Sequence, residues 1–118
     1  MRAVLAIALL LTALLGCERE KRAIEEDLPA SRIERARADA RVIADAILLY
    51  SATFDGALPD SLTALTMQTT KDGTAAGPFL RSIPEPPLGW SAYRYERKRD
   101  GSFSVTSSSG DGLSVSAP

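Results

Sequence analysis

The stretch SRIERARADARVIADAILLYSATFDG, residues 31–56, decides the fold. Ile33, Ala36, Ala40, Ile43, Ile47, Tyr50 and Phe54 recur in it at spacings of three and four residues, the period of one helix face. Arg35, Arg37, Asp39, Arg41 and Asp45 fall mostly off that face and read as its solvated side. Val42, Ala46 and Leu49 widen the apolar stripe toward the C-terminal half. Burial should therefore concentrate at Ile43, Ile47, Tyr50 and Phe54, and less at Ile33 and Ala36. Ser31, with Glu34 three residues later, has the pattern of a capping box. Asp55-Gly56 is a stop signal. The helix would run for roughly 23 residues, or about 35 Å.

The chain after the helix reads as several shorter pieces. In ALPDSLTAL (57–65), Asp60 or Ser61 can cap a short helix carrying Leu62 and Leu65. MQTTKDGTAAG (67–77) is small and polar and reads as a surface loop. PFLRSIPEPPLGW (78–90) holds four prolines, which exclude a regular helix or a central strand. It should run extended, with Phe79, Leu80, Ile83, Leu88 and Trp90 turned inward. SAYRYERKRDGSFSVTS (91–107) alternates Tyr93 and Tyr95 with charges, turns at Asp100-Gly101, then alternates Phe103 and Val105 with serines. That is a hairpin pattern. The tail SSSGDGLSVSAP (107–118) reads as loop with a last short strand near 113–115. These elements give an α+β plan: a long N-terminal helix packed on a small antiparallel β-sheet.

Composition narrows the chemistry. The chain has 118 residues, 14 Lys plus Arg against 15 Asp plus Glu, no His and one Cys. That length suits one domain. The balanced charge gives no argument for a nucleic-acid partner. The lack of His removes most zinc sites, His-based general bases and Ser-His-Asp triads. A lone Cys cannot close an internal disulfide. Asp39 with Asp45, or Glu25 with Glu26, has no nucleophile or oxyanion donor beside it and reads as solvated helix surface. Ser107-Ser108-Ser109 reads as loop rather than nucleophile, since no activating Lys or His accompanies it. The sequence points away from an enzyme. RYERKR (94–99) reads as a strand edge guarded by charge. It is also the place where an acidic protein or anionic lipid headgroups would dock.

The N-terminus carries its own signal. Arg2 precedes an apolar run at residues 3–15, about 20 Å long as a helix, short of a hydrocarbon core of roughly 30 Å. Such a run matches a secretory h-region rather than a span. Leu14-Leu15-Gly16-Cys17 closes it, and Glu18-Arg19-Glu20-Lys21-Arg22 follows. This tetrapeptide resembles the lipobox of bacterial lipoproteins. The resemblance implies that residues 1–16 are removed, and that Cys17 receives a diacylglycerol on sulfur and acyl chains such as palmitate. A thiolate is the nucleophile such a transfer needs, and chains at about 0.8 kcal/mol per buried CH₂ anchor a protein to a membrane. Residues 17–32 would be the lipid anchor and tether, and 33–118 the folded domain. The protein would face the periplasm. Glu18 stands where an Asp would mark inner-membrane retention, so the outer membrane is favoured.

From about 35 to 112 the chain resembles the globular part of the type II secretion major pseudopilin. The matching pieces are ARADARVIADAILLYSATFDGALPDSLTAL, with Tyr50, Gly56, Pro59, Leu62 and Leu65; GPFLRSIPEPPLGWSAYRY, with Pro84, Pro87, Gly89 and Tyr93; and SFSVTSSSGDG. The resemblance implies a pilin-like head and a part in protein secretion, as an interaction or structural module with secretion-system proteins as partners. There are two departures. Pseudopilins keep the apolar N-terminal segment as the core of a filament, whereas here it precedes Gly16, and the fifth residue after that Gly is Lys21 rather than Glu. Filament self-assembly is therefore not expected. The family's calcium site lies in the C-terminal loop. Here that loop offers Asp111 as a metal ligand, and LSVSAP follows in place of the family's acidic cluster. No cofactor is expected on that count. The alternative is a Ca²⁺- or small-ligand-binding periplasmic lipoprotein that uses the loop at 107–112.

Overall fold

The computed structural model describes residues 28–118. The expectations for the leader at 1–16, for Cys17 and for most of the tether lie outside these residues. Helix α1 spans Pro29–Thr53. It begins two residues before the expected Ser31 cap, because Pro29 occupies the first turn. Proline fixes a helical φ and lacks only an N–H that would have no partner there anyway. Ser31 thus lies inside the helix. At the other end Asp55 takes a left-handed φ of 56°, and the Gly56 N–H returns to the Ser51 carbonyl at 2.8 Å. This is a Schellman-type stop, with Asp rather than Gly in the left-handed position.

The buried face of α1 is set by small residues. Ala36, Ala40, Ile43 and Ile47 have no exposed surface, and Ala44 and Ala46 are buried. Ala36 is as buried as Ile47, contrary to the expected gradient; Ile33 is half-buried. Of the three residues expected to widen the stripe, Ala46 is buried but Val42 and Leu49 are not, and Ala44 widens it on the other side. At about 100° per residue, Ala44 lies on one flank of Ile43, and Val42 and Leu49 lie on the opposite flank beyond Ala46. Val42 and Leu49 are 49% and 56% exposed. On that flank the covered arc ends at Ala46, which is 5% exposed. Tyr50 and Phe54 are half-buried. Their rings gather with Phe79, at centroid distances of 4.5 Å for Tyr50–Phe54 and 5.4 Å for Tyr50–Phe79.

A 3₁₀ helix at Leu62–Thr66 follows, as one tight turn rather than an α-helix. Ser61 precedes it in extended conformation and its side chain makes no capping bond. Leu65 is fully buried, and its carbonyl accepts the N–H groups of Phe79 and Leu80 at 2.8 and 3.0 Å. Between them lies a surprise. The polar stretch at 67–77 is an antiparallel hairpin of β1 (Thr69–Lys71) and β2 (Thr74–Ala76), not a loop. Asp72 and Gly73 both have positive φ, 53° and 81°, as a two-residue type I′ turn requires.

The proline-rich segment is irregular, as its prolines demand. Phe79, Leu80, Ile83 and Trp90 are half-buried, but Leu88 is 77% exposed. The Trp90 N–H bonds the Pro87 carbonyl at 3.0 Å, a tight turn that leaves Leu88 at its tip. A three-stranded antiparallel sheet then forms from β3 (Arg94–Arg97), β4 (Phe103–Ser108) and β5 (Ser114–Ala117), with β4 central. Strand β5 begins one residue later and runs further than expected. Phe103, Val105, Val115, Ala117 and Tyr93 join the helix residues and Leu65 in one core. The result is α+β, one long helix packed against small antiparallel sheets, with residues 33–118 as a compact unit.

Candidate functional site

Cys17 lies outside the described residues. Asp111 lies in the turn between β4 and β5 and is exposed. Backbone bonds hold this turn: Ser109 N–H to the Leu113 carbonyl at 2.8 Å and Gly112 N–H to the Ser109 carbonyl at 3.2 Å. The Ser109 hydroxyl also accepts the Leu113 N–H at 3.2 Å. Among the described residues no three His, Cys, Asp or Glu side chains gather in a group that could hold a metal ion.

The triple serine has a different role from a loop. Ser107 is 3% exposed and sits in β4. Its hydroxyl donates to the Ser91 carbonyl at 2.7 Å, while the Ser91 N–H donates to the Ser108 carbonyl at 2.8 Å. Ser108 N–H in turn donates to the Ser91 hydroxyl at 3.1 Å. These bonds satisfy a buried polar residue and prolong the pairing beyond β3. Beside them lies an open depression of about 630 Å³, lined by Ser91, Tyr93, Arg94, Thr106, Ser108 and Ser114 among others. Its lining holds hydroxyls and one Arg, but no acid or base pair.

Asp39 is likewise not simple solvated surface. The Tyr93 hydroxyl donates to its carboxylate at 2.8 Å, and Arg35 lies 4.0 Å away. Burial first, then this bond and the Asp39 charge, raise the Tyr93 pKa above its usual value, against the opposing pull of Arg35. The phenol therefore stays protonated and pins α1 to the sheet. Tyr95 works similarly: burial raises its pKa, and its hydroxyl donates to the Pro59 carbonyl at 2.9 Å. Asp45 is exposed.

The basic stretch at 94–99 does lie on an outer strand and its turn. Arg97 pairs with Asp60 at 3.1 Å, and Arg94, Lys98 and Arg99 are exposed. Trp90 is half-buried and bridges to Ser109. On the helix, Val42 and Leu49 lie side by side as an exposed apolar strip, and Leu48 is exposed on another face. Among the described residues no helix is long and apolar enough to cross a membrane. Compared with protein-family models, curated proteins and solved structures, the chain matches none.

Proposed function

We propose that this chain is a bacterial lipoprotein, anchored through Cys17, whose folded head is a non-enzymatic interaction module in protein secretion. The observation that carries the reading is the order of elements in the head. A long helix carrying Tyr50 ends at Thr53 just before Phe54, a Gly56–Pro59 turn leads to a short helix, a proline segment returns to it, and an antiparallel sheet closes on the helix. This order supports the resemblance to the type II secretion pseudopilin head. The N-terminal Leu-Leu-Gly-Cys supports a lipid anchor in place of a filament core. Charged residues 18–22 would bear several kcal/mol each if buried unpaired in a filament axis.

The head offers docking chemistry rather than a reaction centre: an exposed basic strand edge and an exposed apolar helix strip. Photocrosslinkers placed at Arg94, Arg99 and Val42 in cells test the reading, alongside a survey of secreted proteins in a deletion strain. The proposal expects crosslinks to secretion-machinery proteins and a fall in one or more secreted proteins. An unchanged set of secreted proteins, with crosslinks only to unrelated proteins, would overturn it.

A further inference from the structure

The outer strands β3 and β5 carry opposite chemistry, and the bonds that continue the ladder show which groups each edge presents. Lys98 N–H donates to the Ser102 carbonyl and Ser109 N–H to the Leu113 carbonyl, both at 2.8 Å. Antiparallel pairs alternate between bonded and non-bonded. With Arg94 opposite Thr106 and Val115 opposite Ser107, β3 bonds β4 through Arg94 and Glu96, and β5 bonds it through Val115 and Ala117. The backbone groups of Tyr95 and Arg97 therefore point outward on one edge, and those of Ser114 and Ser116 on the other. Among the described residues nothing bonds the outward groups of Ser114 and Ser116, and both residues are exposed.

An open edge is a template for another strand. On β3 the pairing of a second copy depends on charge register: centred on Glu96, it would set Glu96 against its own copy and Arg94 against Lys98. Strand β5 and its approach, Leu-Ser-Val-Ser-Ala, carry no charge. Antiparallel self-pairing about Val115 sets Ser114 opposite Ser116 as a bonded pair on each side of the axis. It also sets Leu113, which is 44% exposed, against Ala117 of the other chain. Backbone register, charge and the exposed leucine are all self-complementary.

We propose that the β5 edge docks a second copy of this chain, strand to strand and antiparallel, giving one continuous sheet across a twofold axis. Such an interface is isologous and closes on itself, so it makes a dimer and no filament. The test uses two full-length chains with different tags, one carrying Ser114→Cys and the other Ser116→Cys. A bonded pair places Cα atoms about 5.5 Å apart, inside the disulfide range of about 4.4 to 6.8 Å. A disulfide-linked species bearing both tags should form when the chains are co-expressed. No disulfide-linked dimer should form in cells that make only Ser114→Cys, only Ser116→Cys or only the wild type, which keeps Cys17. Ser116→Pro removes an outward N–H and leaves the Val115 and Ala117 bonds to β4 in place, so it should abolish the dimer in sedimentation while the chain stays folded. No mixed crosslink, equal crosslinking in single-variant cells, or capture of a different protein at either position would overturn the proposal, whatever the proline variant does.

Discussion

Two hairpins of this molecule turn on the same dipeptide. In β1–β2, Asp72-Gly73 is the whole loop, with both residues left-handed and Lys71 facing Thr74. In β3–β4, Gly101 N–H bonds the Lys98 carbonyl at 3.2 Å and only Gly101 is left-handed, with φ 87°. That is a type I turn closed by a bulge. Asp100 holds it by accepting Ser102 N–H and hydroxyl at 2.9 and 2.6 Å. The strands differ more than the turns. Those of β1–β2 are mostly exposed on both faces, whereas β4 alternates buried and half-exposed along its length and lies between two neighbours. A turn dipeptide makes a hairpin locally, but only a strand with an apolar face ties that hairpin to the core.

Truncation of a core side chain should separate the two regions most sharply. Phe103→Ala, at 8% exposure, should cost about 3 to 5 kcal/mol of unfolding free energy. Thr70→Ala in the exposed hairpin should stay within about 0.5 kcal/mol. Equal losses in denaturant titrations would break the comparison. Ile47→Ala, on the helix face that both Val105 and Leu65 share as core, should cost about 2 to 5 kcal/mol, and a melting curve that overlays the wild type would contradict this packing.

The turn glycines sharpen the contrast at smaller scale. Nothing lies within 4 Å of a Cβ added at Gly73 or Gly101, so the cost of Ala at either is backbone strain alone, about 1 to 2 kcal/mol. Gly101→Ala should lower global stability by that amount. Gly73→Ala should be relieved by local opening of β1–β2, and appear as faster hydrogen exchange there with a smaller change in melting temperature. The weakest effect concerns pH. The Ser102 hydroxyl, then its N–H, hold the Asp100 carboxyl below the usual carboxylate range. A lowered folded pKa gives stability that is present above the unfolded value, near 4, and lost as pH falls through the folded one. Asp100→Asn should therefore be slightly less stable than wild type at neutral pH, and the difference should vanish in strong acid. A difference that grows on acidification would reverse the sign.

The same contrast explains what could be read in advance. The 3-4 spacing of Ile43, Ile47, Ala36 and Ala40 reports burial on a helix, and the alternation around Tyr93, Phe103 and Val105 reports a strand. Both signals come from side chains that meet the core. Hairpin β1–β2 meets little of it, so its small polar residues carry no apolar alternation and read as a loop. Serines at 107–109 mimic a loop, yet Ser107 continues the period of Phe103 and Val105, and its hydroxyl finds the Ser91 carbonyl. No local pattern could join Asp39 to Tyr93, which lie 54 residues apart. Val42 and Leu49 misled because hydrophobicity alone does not say where a covering sheet ends. For the site, the sequence identified a charged strand edge at 94–99, whereas the uncharged β5 edge emerges only from the strand order.

The membrane anchor remains the claim on which the functional account turns, and palmitate labelling tests it most directly. Cells expressing the wild type and Cys17→Ser are grown with radiolabelled palmitate, and the protein is isolated and weighed by mass spectrometry. The account predicts label and acyl mass on a mature chain beginning at Cys17, both lost in Cys17→Ser, which should remain uncut or pass to the soluble periplasmic fraction. An unlabelled wild type, or a Cys17→Ser chain that is still labelled, mature in size and held in the membrane, would contradict it.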